Sequence, residues 1–186
     1  MYTVSDFRRG LAIIVDDQPY YVVEWSHFKM GRGRANIRTK LKHIKSGAVL
    51  ERVFSSNDSF RPPDLERRTM QFLYESGGEY IFMDSKTFDQ VHIPGESIED
   101  SRLYLLENHE YIILFLDNEA VNIDLPASVI LLVVETEPAV RGDTVSNVTK
   151  PAKLQTGIEV KVPLFVKNGD KVKVDTRSGE YLERAN

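Results

Sequence analysis

The sequence predicts an all-β protein built from three small barrels in series. Three observations lead to this fold class. The apolar residues fall in short runs rich in β-branched and aromatic side chains, which favour strands. Gly, Pro, Asn and Asp separate these runs as tight turns. No stretch shows the long periodicity of an amphipathic helix, so short strands closing into barrels are the predicted architecture.

The first barrel is predicted over residues 1–64. Its strands are Leu11–Val15, Tyr20–Trp25, Ala35–Lys42 and Val49–Phe54. The first two form a hairpin around the turn Asp16–Pro19. The third strand alternates, and its core-facing residues are Ala35, Ile37, Thr39 and Leu41. A polar loop containing Pro62-Pro63 marks the end of this barrel.

The second barrel is predicted over residues 65–126, with five short strands and one short helix. The strands are Thr69–Tyr74, Tyr80–Met83, Phe88–Pro94, Glu110–Leu116 and Ala120–Asp124, the third being either irregular or a short strand. The apolar residues of 98–106 do not alternate, so this segment is predicted as the helix. Leu125-Pro126 ends the barrel.

The third barrel is predicted over residues 127–186. It begins with the apolar strand Ser128–Thr136, and a loop follows over 137–146. The remaining strands are short. Their turns are Thr156-Gly157, Asn168–Asp170 and Ser178-Gly179.

Charge is unevenly distributed along the chain. Residues 1–63 hold 11 Lys/Arg and 6 Asp/Glu, residues 64–126 hold 4 and 14, and residues 127–186 hold 9 and 8. Such segregation indicates domains that face different surroundings. A partner that is polyanionic on one side fits this pattern. An acidic segment that serves only solubility fits it as well.

A cationic loop is the most distinctive stretch of the first barrel. Its sequence is Lys29-Met30-Gly31-Arg32-Gly33-Arg34. Two glycines around an arginine, between two strands, indicate a tight turn with Arg32 at its tip. From Trp25 to Leu50 there are seven basic residues and no Asp or Glu. Arg38, Lys40 and Lys42 share one face of the following strand, which is either a solvated face or one that contacts phosphates.

The sequence contains no catalytic or metal-binding constellation. Its four histidines lack metal-ligand spacing, and it has no cysteine for a disulfide or a thiolate site. The tip lacks the Lys-Ser/Thr pair of a phosphate-binding P-loop. No run of 18 apolar residues predicts a membrane span, and the start does not resemble a signal peptide. We therefore expect a cytoplasmic protein that is not an enzyme and needs neither cofactor nor metal.

The C-terminal third carries a long and specific pattern. It reads Lys150-x-Ala152, Gly157, Val162-Pro163-x-Phe165-Val166, Asn168-Gly169-Asp170 and Val174-Asp175-Thr176-Arg177-Ser178-Gly179-x-Tyr181. Together with Gly142-Asp143-Thr144 upstream and 38–42 after the tip, this pattern resembles the bacterial elongation factor P family. The resemblance covers essentially the whole chain. It implies an SH3-like (KOW-type) barrel followed by two OB-folds, in an elongated, tRNA-like shape.

The resemblance also implies a translation factor that binds the 70S ribosome between the peptidyl and exit sites. In this family the first domain reaches the CCA end of the peptidyl-tRNA. The third domain lies toward the small subunit, so Gly142, Asp143 and Thr144 are expected to face the ribosome. Members relieve stalling at consecutive prolines, and positioning alone accounts for such an acceleration. A monomer is expected, because a tRNA-like shape has to fit between two sites.

The tip departs from the commoner family pattern. Many members carry Pro-Gly-Lys-Gly there, with a β-lysyl-type extension on the lysine, whereas this chain has Met30-Gly31-Arg32-Gly33. Arginine keeps its proton and its planar fork, which excludes the lysine modification. Other members carry rhamnose on an arginine at this place. Arg32 is therefore expected to contact the tRNA acceptor end, either bare or rhamnosylated by a glycosyltransferase.

Two other interpretations stay open. A paralogue with a different ribosomal task is compatible with the altered tip. A single-stranded RNA-binding module made of OB-folds is the other, since such folds stack bases on aromatic side chains in basic grooves. The acidic middle segment argues against this second interpretation.

Overall fold

The computed structural model describes residues 1–29, 35–138 and 148–185. Strands dominate these residues, and their helical segments are three short 3-10 turns, at Val4–Asp6, Gly95–Ile98 and Arg102–Tyr104. The chain divides into two compact units. The first is Met1–Glu66 with Leu116–Val121, and the second is Arg67–Phe115 with Asn122–Asn186. Within the described ranges no helix is long and apolar enough to cross a membrane.

The first unit contains a four-stranded antiparallel sheet and a two-stranded ribbon. Its strands are β1 (Tyr2–Thr3), β2 (Ala12–Val15), β3 (Gln18–Lys29), β4 (Ala35–His43), β5 (Val49–Ser55) and β6 (Ser59–Phe60). The sheet has the order β2-β3-β4-β5, and β1 pairs with β6. The predicted alternation of β4 is confirmed at Ile37, Thr39 and Leu41, which are all fully buried, whereas the side chain of Ala35 lies outside the described part of the molecule. Ile37 and Leu41 enter a core of aliphatic and aromatic side chains from β2 to β6 and from the segment before β2.

The turn of the first hairpin is shorter than predicted. Only Asp16 and Asp17 form it, both in the left-handed region at φ 49° and 58°. Positive φ at both positions matches the twist of a two-residue hairpin. Pro19 instead lies within β3, opposite Ile14. Proline has no amide proton to donate, but its carbonyl accepts a hydrogen bond from the Ile44 amide at 3.0 Å.

The second sheet belongs to the middle of the chain. Its strands are β7 (Glu66–Ser76), β8 (Glu79–Met83), β9 (Gln90–Pro94), β10 (Glu110–Leu116) and β11 (Glu119–Asp124), in the order β11-β10-β7-β8-β9. The buried residues of these strands include Phe72, Phe82 and Ile113. Phe88 has a φ of 63° and lies in the turn before β9, so the predicted segment 88–94 is irregular at its start and a strand from Gln90.

The short helix predicted over 98–106 is wrong. The segment contains only the end of one 3-10 turn and the whole of a second. Its backbone bonds run from residue i+3 to residue i, as from the Ser101 amide to the Ile98 carbonyl at 2.9 Å. The reason is that its large side chains are not buried along one stripe. Tyr104 turns away to pack with the strands that follow β11.

The third sheet is formed by the last part of the chain. Its strands are β12 (Ser128–Thr136), β13 (Thr149–Leu154), β14 (Glu159–Pro163), β15 (Lys171–Asp175) and β16 (Tyr181–Ala185), in the order β14-β13-β12-β15-β16. Valines and leucines at alternate positions fill its core. The predicted turns at Gly157, Gly169 and Gly179 are confirmed, with φ of 89°, 87° and 73°. Such angles favour glycine because it has no Cβ.

Candidate nucleic-acid interface

The cationic residues after the predicted tip lie on the outer face of β4. Since successive side chains of a strand point to opposite faces, Arg38, Lys40 and Lys42 point away from the buried Ile37 and Leu41. Residues two apart on a strand are about 7 Å from each other. The structure therefore brings these three predicted RNA-backbone residues together in one row on the sheet.

Arg38 is the most exposed of the three cations and lies nearest the tip. Its register partners are Ser26 on β3 and Val53 on β5, and neither is charged. Its guanidinium carbon lies 5.6 Å from the centre of the Phe28 ring. Such a cation–π contact holds the planar group on an aromatic face and leaves its edge free to donate hydrogen bonds. Phe28 was not among the predicted site residues, although its separation of ten residues from Arg38 spans the loop.

Lys40 has a different environment, because two glutamates flank it. The register places Glu24 of β3 and Glu51 of β5 directly opposite it on either side. Side chains in such positions have Cβ atoms about 5 Å apart and interact across the strands. Both glutamates lie just outside the acid-free window that runs from Trp25 to Leu50. A signal for Glu24 was present in the sequence, since residues 24 and 40 are equidistant from Arg32.

Lys42 is half-buried, so its stem is part of the sheet surface. Its register partners are Tyr21 and Val49, which are uncharged. A Cβ placed on Gly47 in the following turn would lie 3.8 Å from the Lys42 Cε atom. The aliphatic stem therefore runs along the turn while the ammonium group stays at the surface, as is common for lysine.

Other cations of the first unit are held in pairs within it. Lys45 Nζ lies 3.0 Å from Asp117 Oδ2 and 3.4 Å from Glu119 Oε2. The hydrogen bond to Asp117 is the main cause of the raised pKa of Lys45. Arg52 contacts Asp16 at 3.0 Å, and Arg61 contacts Asp17 at 2.7 Å. These carboxylates offset the three positive charges, so the row on β4 is the better candidate for an external anion.

Several predicted site residues lie outside the described part of the chain. The backbone of Lys29 ends β3 opposite Ala35. The tip residues Met30, Gly31, Arg32, Gly33 and Arg34 are not among the described residues. The same holds for Gly142, Asp143 and Thr144 of the segment between β12 and β13. Their roles stay predictions.

The described residues offer no metal centre, because they include no group of three His, Cys, Asp or Glu side chains placed to hold an ion. The shifted titrations have structural causes. The pKa values of Asp6, Asp84 and Asp175 are lowered chiefly by backbone amides that donate to their carboxylates in tight turns. Burial raises the pKa of the Tyr104 and Tyr111 hydroxyls.

The chain is a modular β protein with a cationic row on its first sheet, and the domain models of one family of translation factors match it along most of its length. Residues 3–60 match the elongation factor P KOW-like domain. Residues 65–123 match the elongation factor P OB domain, and residues 129–184 match the elongation factor P C-terminal domain. The predicted fold class, an SH3-like barrel followed by OB-folds, is thereby confirmed.

Full-length relatives give the same result. A protein named elongation factor P from Desulfovibrio desulfuricans is 48% identical over 184 residues, covering 99% of this chain and 100% of the relative. Another from Moorella thermoacetica is 48% identical over 185 residues, covering 100% of both chains. The chain belongs to the elongation factor P family of translation factors.

One similar solved structure is also known. It is described as eukaryotic translation initiation factor 5A from Methanococcus jannaschii. The alignment has a TM-score of 0.45 and 24% identity, and covers 66% of this chain and 92% of that one.

Proposed function

We propose that this protein binds the 70S ribosome between the peptidyl and exit sites, contacts the peptidyl-tRNA and stimulates peptide-bond formation at consecutive prolines. The observation that carries the proposal is the match to the elongation factor P family along the whole chain. The cationic row on β4 supports the proposal, because it offers positive charge at the surface to the phosphates of RNA. The protein acts in the cytoplasm, as a monomer.

The chemistry of RNA fits the residues of the row. Lysine and arginine that neutralise phosphates release condensed counterions, which favours binding without any base-specific contact. Structured RNA is recognised mainly through its shape, its phosphates and its 2′-hydroxyls. A guanidinium held on the Phe28 ring is well placed to donate to a phosphate, because little further ordering is needed.

The stimulation needs no acid or base from this chain. Holding the acceptor end of the tRNA in a reactive geometry lowers the entropic part of the activation barrier, because the orientation is fixed before the reaction begins. We assign the first domain (residues 1–64) to the acceptor end, and the second (65–126) and third (127–186) to the body of the factor. The sheets support these boundaries, since all strands of any one sheet lie within a single one of the three domains. Gly142, Asp143 and Thr144 of the third domain face the small subunit.

Arg32 is the residue assigned to the acceptor end. A reconstituted translation reaction with a reporter that contains consecutive prolines tests this role. Arg32→Ala is expected to lose the stimulation that the wild-type protein gives. Arg61→Ala is the matched control, because Arg61 belongs to the same unit but is paired with Asp17. Full stimulation by Arg32→Ala contradicts the assignment.

The state of Arg32 is either bare or rhamnosylated by an arginine-modifying glycosyltransferase. The intact mass of the protein isolated from its native host distinguishes the two states. A mass equal to that of the unmodified chain excludes the sugar. An added deoxyhexose that disappears in Arg32→Lys places the sugar on this residue.

The cationic row is tested by the salt dependence of ribosome binding. Arg38→Gln is expected to reduce the slope of log affinity against log salt by about 1, as one phosphate contact does. Lys40→Gln is expected to reduce it less, because Glu24 and Glu51 already offset that charge. Equal effects of the two variants contradict this order.

The proline reporter and ribosome binding, together with binding to a free oligonucleotide, separate the other two interpretations. Tight ribosome binding without stimulation of the proline reporter identifies a paralogue with a different ribosomal task. Tight binding to a free single-stranded oligonucleotide, with weak binding to ribosomes, identifies an OB-fold RNA-binding module.

A further inference from the structure

Tyr104 lies on the segment between β9 and β10, yet it is buried with the side chains of the third sheet. It is 6% exposed and packs in one cluster with Leu131, Val133 and Val174. Leu106, close to it in sequence, packs against the same cluster. The core of the third barrel is therefore completed by side chains that the second barrel supplies.

The hydroxyl of Tyr104 reaches the turn between β15 and β16. A Cβ atom on Gly179 of that turn would lie 3.3 Å from the Tyr104 hydroxyl oxygen. This distance is shorter than an ordinary carbon–oxygen contact, and a nearly buried ring in a filled core has no room to withdraw. Glycine at this position therefore admits the tyrosine.

The turn that receives Tyr104 is itself firmly held. The carboxylate oxygen Oδ1 of Asp175 accepts hydrogen bonds from the amides of Arg177 and Ser178, at 2.8 and 3.0 Å. The Gly179 amide donates to the Asp175 carbonyl at 2.9 Å. A turn tied at both ends transmits a displacement to its strands and does not absorb it.

The second barrel holds Tyr104 equally well from its own side. The hydroxyl of Tyr111 on β10 accepts from the Leu106 amide at 2.8 Å and donates to the Tyr104 carbonyl at 3.4 Å. Tyr111 is buried. The backbone that carries Tyr104 is thus fixed to β10, and the ring is fixed in the core of the third barrel.

A further tie lies where the chain passes from β11 to β12. Thr176, in the same turn as Gly179, donates from its hydroxyl to the Pro126 carbonyl at 2.5 Å and from its amide to the Ala127 carbonyl at 3.1 Å. The turn between β15 and β16 is therefore attached at two points, at Thr176 by these hydrogen bonds and at Gly179 by the contact with Tyr104. Two attachment points that are apart from each other restrict rotation, whereas one alone permits it.

We propose that Tyr104 is a positioning residue that fixes the second barrel and the third barrel to each other as one rigid body. The turn at Gly179 is the surface that its hydroxyl contacts. The proposal rests on the proposed function, because a factor that positions tRNA by reaching between two sites needs a fixed geometry between its domains. Neither residue touches the reacting atoms. Their contribution is the angle at which the third barrel is held.

The competing explanation is that Gly179 is required only by its φ of 73°. Gly169 separates the two explanations, because it lies in the same barrel at a φ of 87° with no atom within 4 Å of a Cβ placed on it. Gly169→Ala and Gly179→Ala therefore share the backbone strain of an L-residue in the left-handed region. Only Gly179→Ala also meets Tyr104.

The test measures the distance between the two barrels directly. The chain has no cysteine, so Gln90→Cys on β9 and Lys161→Cys on β14 give two unique sites for spin labels on exposed strand positions. Double electron–electron resonance between the two spin labels is expected to show a narrow distance distribution for the parent protein and for Gly169→Ala. Gly179→Ala is expected to shift or broaden it. Tyr104→Phe combined with Gly179→Ala is expected to restore it, because the hydroxyl is then absent.

The same variants without labels are compared in the proline reporter. Gly179→Ala is expected to lose stimulation, and the double variant to regain it, while the thermal midpoints of Gly179→Ala and Gly169→Ala both fall by a few degrees. A distance distribution of Gly179→Ala that equals the parent's overturns the proposal. So does a changed distribution with the same stimulation as Gly169→Ala. Absence of stimulation by the wild-type protein refutes the proposed function instead, and the distances then still decide whether Tyr104 fixes the barrels.

Discussion

A buried hydroxyl under the cationic row leads to an unexpected stability prediction. Thr39 on β4 is fully buried, and its Oγ1 atom has no hydrogen-bond partner among the residues that the structure describes. An unsatisfied buried polar group costs about 1–3 kcal/mol. Valine has nearly the same shape and no hydroxyl. Thr39→Val is therefore expected to raise the free energy of unfolding of the first unit by about 1–2 kcal/mol.

The chain provides its own probe for this measurement. Trp25 is the single tryptophan and pairs with Thr39 in the β3–β4 register, so its fluorescence reports the unfolding of the first unit. For a urea m-value of about 1–2 kcal/mol/M, the predicted gain moves the midpoint upward by about 1 M. Thr39→Ser is the control, because it keeps the hydroxyl and loses a buried methyl worth about 0.8 kcal/mol. Its midpoint is expected to fall.

The refuting result is a midpoint of Thr39→Val that is unchanged or lower than that of the wild type. It shows that the hydroxyl finds a partner in solution. Ribosome binding provides a second check. Thr39 points into the core and the row points outward, so Thr39→Val is expected to bind ribosomes as the wild type does.

Three further predictions concern contacts elsewhere in the molecule. Gly95→Ala places a Cβ 3.1 Å from the Tyr80 ring and 3.0 Å from the Gly78 carbonyl oxygen. This crowding is expected to lower the free energy of unfolding of the second unit by about 1–3 kcal/mol in urea unfolding. An unchanged urea midpoint contradicts the prediction. The lowered pKa of Asp175 contributes stability above its ordinary value of 3.8 that is lost as the pH falls through the lowered value. The thermal midpoint of Asp175→Asn is therefore expected to lie below the wild type's at pH 6 and to approach it toward pH 2, and a gap that does not narrow refutes the idea. Lys45→Gln removes the pair with Asp117, and its lower midpoint in 0.05 M salt is expected to vanish in 1 M salt; persistence of the difference excludes an electrostatic cause.

Local patterns were sufficient for elements whose burial is decided within one strand or one turn. The alternation of β4 predicted its buried face, since the two-residue period of a strand needs no tertiary information. Glycine turns such as that at Gly169 were predictable for the same reason. The segment around Tyr104 was not, because the core that receives this ring is built from strands that come later in the chain. A helical prediction was the natural result of apolar residues that do not alternate.

The cationic character of the first barrel shows why charge counted along a sequence is not charge on a surface. The acid-free window from Trp25 to Leu50 predicted a cationic loop followed by a strand with a cationic face. Strand pairing brings Glu24 and Glu51, one from each side of that window, to the two flanks of Lys40. The neutral neighbours of Arg38 leave its charge intact at the end of the row nearest the tip. The positive charge of the face is therefore offset at Lys40, in the middle of the row, and intact at Arg38 and Lys42, whose register partners are uncharged. Because surface charges orient an encounter before contact, an anionic partner is expected to be attracted to the two ends of the row, at Arg38 and Lys42, more strongly than to its centre.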